Sequence, residues 1–323
     1  MSVQLNRKRQ IELETDSKPR RNMTMANARL KKIQSNFGWA AVLTPFFGLL
    51  FTVGLIPYTG IDPTGVGLLV GMYVLTTLGL EMGFHRHFSH CAFQTTTAIR
   101  VILAIFGSMA AVGHIIHWVS HHRGHHQGTD LPSDPHSPHF NAKGQQLNGL
   151  RGLWHAHIGW FFESEFPNVL LTKDLLRDPI ITKVNQLYLL WVILGFAIPA
   201  ILGGILTGTW MGVLQGLLWG GFIRVFLAHH AFWSINSICH VYGNRPFDTG
   251  DRSTNNIWLA LPTMGGAWHN NHHAFSNSAI VGLNWWQIDP SAWVIQALKI
   301  VGLVWDVKAP SAAAIESKKV RVE

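Results

Sequence analysis

The sequence predicts an all-α integral membrane protein, a four-helix bundle whose cytosolic helical cap holds a metal centre. Three observations lead there. Of 323 residues, 48% are hydrophobic and only 13% charged, whereas a soluble domain of this size is about one quarter charged. Four segments, 37–57, 63–83, 187–206 and 210–230, approach the roughly 20 apolar residues that a bilayer crossing requires. All 19 histidines fall between His85 and His273, so the chain on either side of that window reads as support or address.

Residues 1–36 carry nine Lys or Arg against three acidic residues and have no apolar run of the kind a cleaved signal peptide needs. The positive-inside rule puts such a segment in the cytosol beside a first span. That reading takes precedence over nucleic-acid binding by Arg7-Lys8-Arg9 and Lys18-Pro19-Arg20-Arg21. The expected division is a flexible basic arm (1–36), a membrane domain (37–308) and a tail (309–323). Tyr58-Thr59-Gly60-Ile61-Asp62 joins the first pair of spans and Thr207-Gly208-Thr209 the second. Neither turn holds Lys or Arg, so both read as outer hairpins. Four crossings then leave both termini and all the histidine groups on one, cytosolic, face. A fifth apolar run, 99–112, is short and interrupted by Gly107-Ser108. If it crossed, it would strand the first histidine group, so it belongs in the membrane plane or against the bundle. The turn-rich stretch from His122 to Lys183 should form the cap. Asp289 and Pro290 read as an N-cap and first helical residue, opening an interfacial helix with Trp293, Val294, Ala297, Leu298, Val301 and Trp305.

His122-Arg123-Gly124-His125-His126 and His269-Asn270-Asn271-His272-His273 each set three imidazoles at relative positions 0, 3 and 4. On a helix these share one face and can converge on one point. His85 and His90 are five apart, about 140° in direction on an α-helix, so the helix is expected to end or bend between them. Clustered buried imidazoles without a metal would be desolvated with no compensation. Iron, zinc, copper and nickel all suit imidazole, so spacing alone selects none of them. Glu81, one turn before His85, is placed to accept a hydrogen bond from that ring and fix its tautomer. His87 points away from His85. His114, His117, His121, His229 and His230 are expected to orient ligands or to sit at interfaces, and His136, His139 and His155 are polar cap residues. Cys91 and Cys239 read as small packing residues without a disulfide framework.

These motifs resemble the membrane-bound fatty acyl desaturases of the stearoyl-CoA desaturase type, whose boxes run HxxxxH, HxxHH and HxxHH. Asn236-Ser237-Ile238-Cys239-His240 is similar to the family's NSxxH element. Asp134-Pro135-His136, His157-Ile158-Gly159-Trp160 and Gly243-Asn244-Arg245-Pro246-Phe247-Asp248 are further similar stretches. The resemblance covers about 37–308. It implies two irons held by His85, His90, His122, His125, His126, His240, His269, His272 and His273, with Asn236 acting directly or through water. It also implies use of O2 to place a double bond, delta-9-like, in a saturated acyl chain. In such an enzyme Trp118 and Trp233 would line a kinked acyl tunnel, and Tyr73 and Thr77 would close its far end. Breaking an alkyl C–H bond needs an oxidant no side chain can become, which is what the metal is for.

Two departures bear on the substrate carrier. Ser164-Glu165 stands where animal acyl-CoA enzymes have an Arg-Lys pair suited to phosphates, and Gly265-Gly266-Ala267 stands for Gly-Glu-Gly. The acyl chain can therefore be bound to acyl carrier protein or to lipid as readily as to CoA, and the basic arm suits an acidic carrier protein. No haem, iron–sulfur or GxGxxG motif is present, so ferredoxin or a separate cytochrome b5 would supply electrons. Hydroxylation or acetylenation on the same scaffold is the alternative chemistry. A non-redox metal-binding receptor or transporter is the alternative class, although a transporter would hold ionisable ligands near mid-membrane rather than at span ends.

Overall fold

The structure, a computed structural model, describes residues 28–163 and 168–320. The basic arm up to residue 27 and the Ser164-Glu165 pair lie outside the described residues. Among the described residues four helices are long and apolar enough to cross a membrane: Lys31–Thr59, Pro63–Ser89, Tyr188–Thr207 and Trp210–His240, here spans 1 to 4. Span 1 belongs to a helix that starts at Ala28, so the last residues assigned to the arm, Lys31 and Lys32 among them, are helical.

The turns behave as their residues dictate. Asp62 caps span 2 by accepting from Gly65 N at 2.9 Å, with Pro63 at the first helical position. Span 3 ends where Gly208 takes the left-handed conformation at φ 66°, which glycine adopts without a Cβ penalty. Thr209 then caps span 4 through Gly212 N at 3.0 Å. Spans 3 and 4 touch backbone to backbone: a Cβ built on Gly216 would lie 2.0 Å from Pro199 O. Small residues permit that approach, which stabilises helix pairs where lipid removes the hydrophobic drive. Phe47, Phe51, Ile193, Ile201 and Ile205 face outward, as lipid contact requires.

The fifth apolar run is the 13-residue helix Thr97–Met109. At 1.5 Å per residue it is about 20 Å long, short of the roughly 30 Å hydrocarbon core. It packs against span 2, where a Cβ on Gly79 would lie 2.2 Å from Gly107 N. Its C-terminal end is held from span 4. Arg224 donates to Met109 O and to Gly195 O, both at 2.6 Å, and His229 Nε2 reaches Ala110 O at 2.9 Å. The interruption that shortens this run is also what lets it dock.

The cap contains the helix Ile115–Gln127, the helical stretch 149–163, the helices Lys173–Leu176 and Pro179–Gln186, and the short third-box helix His269–Ala274. Asp289 caps Pro290–Ile300 as expected, Oδ1 accepting from Ala292 N at 3.0 Å. On that helix Ile295 is buried, with Val294 and Leu298 packed beside it against Met82 and Phe93, while Trp293 is exposed; the helix stops at Ile300, so Val301 and Trp305, both exposed, lie beyond it rather than on it. The apolar face read from the sequence thus divides between the core and the outer surface. A two-stranded antiparallel ladder pairs Gln94–Thr95 with Val304–Trp305, and the tail helix Ala312–Lys318 docks through Lys318 Nζ on Ala274 O at 2.6 Å.

Candidate metal centre

Span 2 supplies the first histidine pair by changing its winding. From Gly79 to Ser89 it is a π-helix, in which backbone bonds close from i to i+5; His90 N donates to His85 O at 3.3 Å. That winding brings residues five apart nearly beneath one another, and the two rings lie 5.0 Å apart between centroids. The helix does end before His90, as the spacing demands, yet the wide last turns do most of the work.

The second and third boxes do not each converge on one point. On the helix Ile115–Gln127, His122 and His126 join His85 and His90 in one group, while His125 belongs to a second. On His269–Ala274 the roles reverse: His269 and His273 join His125 and His240, and His272 joins the first group. Positions 0 and 4 face one way and position 3 the other, so each HxxHH motif serves both groups. Within each group the nearest ring nitrogens all lie within 4.8 Å of one another.

The donor atoms fit two metal ions. His85 and His272 approach Nε2 to Nε2 at 3.1 Å, His90 and His122 at 2.8 Å, and His126 and His272 at 2.9 Å. In the second group His240 and His273 each lie 3.0 Å from His269 Nε2. Ligands at right angles around a metal with imidazole bonds near 2.1 Å are separated by roughly 3 Å. Four carboxylates then fix the tautomers. Nδ1 of His85 donates to Glu81 at 3.0 Å, that of His125 to Asp134 at 2.9 Å, that of His240 to Asp130 at 2.9 Å, and that of His273 to Asp251 at 2.7 Å. A proton held on Nδ1 leaves a lone pair on Nε2. Lone pairs facing one another at 3 Å repel unless a cation lies between them. His125 Nε2, buried and with no hydrogen-bond partner, points to the same conclusion.

Electrostatics keep six of these imidazoles neutral. Burial, then repulsion from neighbouring rings, holds His90, His122, His126, His269 and His272 well below the usual imidazole range. Burial likewise takes His273 down to about 4, against the opposing pull of Asp251. His125 is the exception. Burial would depress it, but Asp134 raises it above the ordinary value. Burial alone would raise the Asp130 carboxyl, yet His240 holds it down at about 2.

Beside these groups runs a cavity lined by Glu81, His85, His122, His125, His269 and Asn236, together with Trp118, Trp233 and further aromatic residues. Trp118 stacks on His122 at 5.2 Å and 13°. Tyr73 and Thr77 are not brought to this cavity. Their hydroxyls are spent elsewhere, Tyr73 on Pro262 O at 2.7 Å and Thr77 on Tyr73 O at 2.6 Å, and they lie about two turns and one turn before Glu81 on span 2, respectively. His87 joins neither group and donates to Phe93 O at 3.1 Å. The orienting carboxylates Asp130, Asp134 and Asp251 went unassigned in the sequence. Asp134 stood inside a motif already singled out and Asp251 lay three residues beyond another, so a search for acids near the boxes would have found them. Asp289 was read only as a cap; its carboxylate also grips Arg86. Two asparagines in the third box seat its helix: Asn270 exchanges hydrogen bonds with the backbone of Phe247, and Asn271 Nδ2 donates to Val281 O.

The fatty acid desaturase family matches residues 63–300. The chain is 46% identical to the hex-5-enoyl-[acyl-carrier protein] acetylenase of Moorena producens (strain JHB), over 94% of this chain and 95% of the relative. It is 39% identical to delta-9 acyl-lipid desaturase 1 of Arabidopsis thaliana, over 74% of each. It is 34% identical to the sn-1 stearoyl-lipid 9-desaturase of Anabaena variabilis, over 85% and 87%. Identity of this order over most of the chain sets aside a non-redox receptor or transporter. With four apolar helices and two histidine groups able to hold metal, the chain belongs to the membrane-bound fatty acid desaturase family, oxidoreductases that act on acyl chains.

Proposed function

We propose that the nine grouped histidines hold two iron ions and that the chain inserts a C=C bond into an acyl chain lying in the cavity past Trp118 and Trp233. The overall change is R–CH2–CH2–R′ + O2 + 2e⁻ + 2H⁺ → R–CH=CH–R′ + 2H2O. The observation that carries this reading is the pair of groups with facing Nε2 atoms 2.8–3.1 Å apart beside an aromatic cavity. Iron is favoured over other imidazole-binding metals by family membership and by a donor set free of thiolates, Cys239 and Cys91 belonging to neither group. Bound there, the irons would supply, with O2, the oxidant that an unactivated C–H bond requires.

The protein's own part is placement. Glu81, Asp130, Asp134 and Asp251 keep a proton on Nδ1 of the ring each one touches, which makes Nε2 a better ligand and fixes the ring plane. Asn236, in the cavity wall with His269, acts as a ligand directly or through water. Trp118 and Trp233 hold a carbon pair at the metal side of the cavity, where near-attack geometry selects one position along the chain. Buried aromatic walls exclude bulk water, which protects the reaction from side chemistry.

The substrate carrier we infer is acyl carrier protein. Ser164-Glu165 replaces the phosphate-suited pair, and the M. producens relative is named for an acyl-carrier-protein substrate. Electrons come from an external donor, a ferredoxin or cytochrome b5, that meets the cap on the cytosolic side, where both termini also lie. The same relative supports a second reading, in which the substrate already carries a double bond and the identical balance yields an alkyne. Expression in a host lacking unsaturated fatty acids, with mass analysis of new products, separates alkene, alkyne and hydroxyl products. Presenting one acyl chain on acyl carrier protein, CoA and lipid in vitro decides the carrier. An unchanged profile with donor present and iron bound contradicts the reading.

A further inference from the structure

Between Arg252 and Asp289 the chain has no Asp, Glu, Lys or Arg, although this stretch follows the last span. Its early part, 256–266, leaves Ile257, Trp258 and Leu261 exposed at 56%, 85% and 57%. Two contacts set the depth at which this loop lies. Gly266 is packed against Glu81, where a Cβ on the glycine would lie 2.8 Å from Oε2. Pro262 O accepts from the Tyr73 hydroxyl at 2.7 Å. Tyr73 and Glu81 are eight residues apart on span 2, about 12 Å along its axis, so the loop runs down beside the span and away from the cap. Span 2 begins at Pro63. Tyr73 therefore lies about 15 Å from the outer end, midway through a hydrocarbon core of roughly 30 Å.

Backbone at that depth must find its hydrogen bonds within the protein, because lipid offers none. This loop does so. Every carbonyl from Leu259 to Gly265 accepts a hydrogen bond, that of Pro262 from Tyr73 and that of Met264 from Ser291 N at 3.3 Å. Each N–H from Thr263 to Trp268 donates, Ala267 N to the Thr263 hydroxyl at 2.9 Å. Trp258 N and Leu259 N both donate to Asn256 Oδ1. The side chains left outside are apolar, as are Val70 and Val74 on the exposed face of span 2 near Tyr73. A loop in water has no use for an exposed tryptophan beside two aliphatic side chains. We propose that 256–266 is a re-entrant hairpin sunk in the leaflet on the cap side, its outer face covered by the acyl chains of bilayer lipid. The hairpin rests on the four spans and not on the chemistry proposed above. Because His269 follows it directly, the bilayer itself seats the start of the third box against span 2.

The test places the full-length chain in nanodiscs of phosphatidylcholine that carries a photoreactive diazirine at mid-chain, and maps the adducts by mass spectrometry. Adducts should appear on 257–261 at a yield within about threefold of that on 70–75 of span 2. Leu261→Cys and Tyr242→Cys supply a second measurement, since the parent side chains are almost equally exposed, at 57% and 56%. A charged, membrane-impermeant maleimide should modify the Leu261→Cys variant at least about tenfold more slowly than the Tyr242→Cys variant. Locating the label by peptide mass keeps Cys91 and Cys239 from interfering. Adducts on spans 1 and 3 with none on 257–261, or equal maleimide rates, mark a loop facing water or another protein. Either result overturns the hairpin and leaves the desaturase reading intact. Absence of lipid adducts from the spans themselves overturns the four-span arrangement and the hairpin with it.

Discussion

Arg86 and Asp289, 203 residues apart, are joined by two hydrogen bonds, Nη2 to Oδ1 at 2.8 Å and Nη1 to Oδ2 at 3.1 Å, with both side chains buried. Arg86 also donates to Glu81, which orients His85. A chain of paired charges therefore runs from the helix Pro290–Ile300 to the first metal group. Removing one member of a buried pair typically costs about 3–5 kcal/mol because its partner is left uncompensated. Asp289→Ala should lower the unfolding midpoint in detergent and reduce iron content together. Unchanged iron content would show that the chain of charges does not position His85.

The carboxylates behind the ligands should matter nearly as much as the ligands. Asp134→Asn and Asp251→Asn each leave a hydrogen-bond acceptor beside His125 or His273 but remove the charge that strengthens it. Loss of such a partner usually weakens metal affinity 10–100-fold. Chelator competition on the purified variants reads that loss directly, and an affinity within twofold of the parent contradicts the assignment.

The metal-free protein should weaken in mild acid. His273 sits at about 4 and its neighbours well below the ordinary value, burial being the largest cause. Folded-state values depressed below about 6.5 mean that the unfolded chain takes up protons first. Stability therefore falls as pH drops from about 6.5 toward 4, by up to roughly 1.4 kcal/mol per unit for each such ring. Asp130 at about 2 contributes in the same direction only below about pH 4. Denaturation of chelated protein at pH 7, 6 and 5 measures this; a flat profile contradicts it.

Arg224 should be essential to the docking of Thr97–Met109. Its guanidinium serves carbonyls of Met109, Gly195 and Gly220 from inside the bundle. Arg224→Leu removes the side-chain donor from three buried carbonyls, at about 1–3 kcal/mol for each one left unpaired. A large drop in thermal stability is expected, and Arg224→Lys, with fewer and differently directed donors, should recover only part of it.

Much of this architecture was legible in the sequence. The spans were readable because a bilayer imposes length and apolarity on each segment independently. The histidine boxes were readable because no core or surface role asks for such clusters. Three features were not. The π-winding of Gly79–Ser89 changes which residues share a face, and nothing in the local composition of that stretch announces it. The division of each HxxHH motif between two groups depends on His85, His90 and His240 arriving from other helices. The pairing of Asp130 with His240, 110 residues away, and of Arg86 with Asp289 arises only in the folded chain. Tyr73 and Thr77 were expected at the end of a tunnel by resemblance to the family, whereas neither is among the residues lining the cavity in the folded chain.

Metal stoichiometry tests the central claim most directly. Purified from iron-replete cells, the protein should contain two irons per chain by plasma mass spectrometry, and His269→Ala, which removes a ligand only from the second group, should retain about one. A parent protein with no bound iron, or a His269→Ala variant that keeps both, would contradict two imidazole-bound ions at the inner ends of the spans.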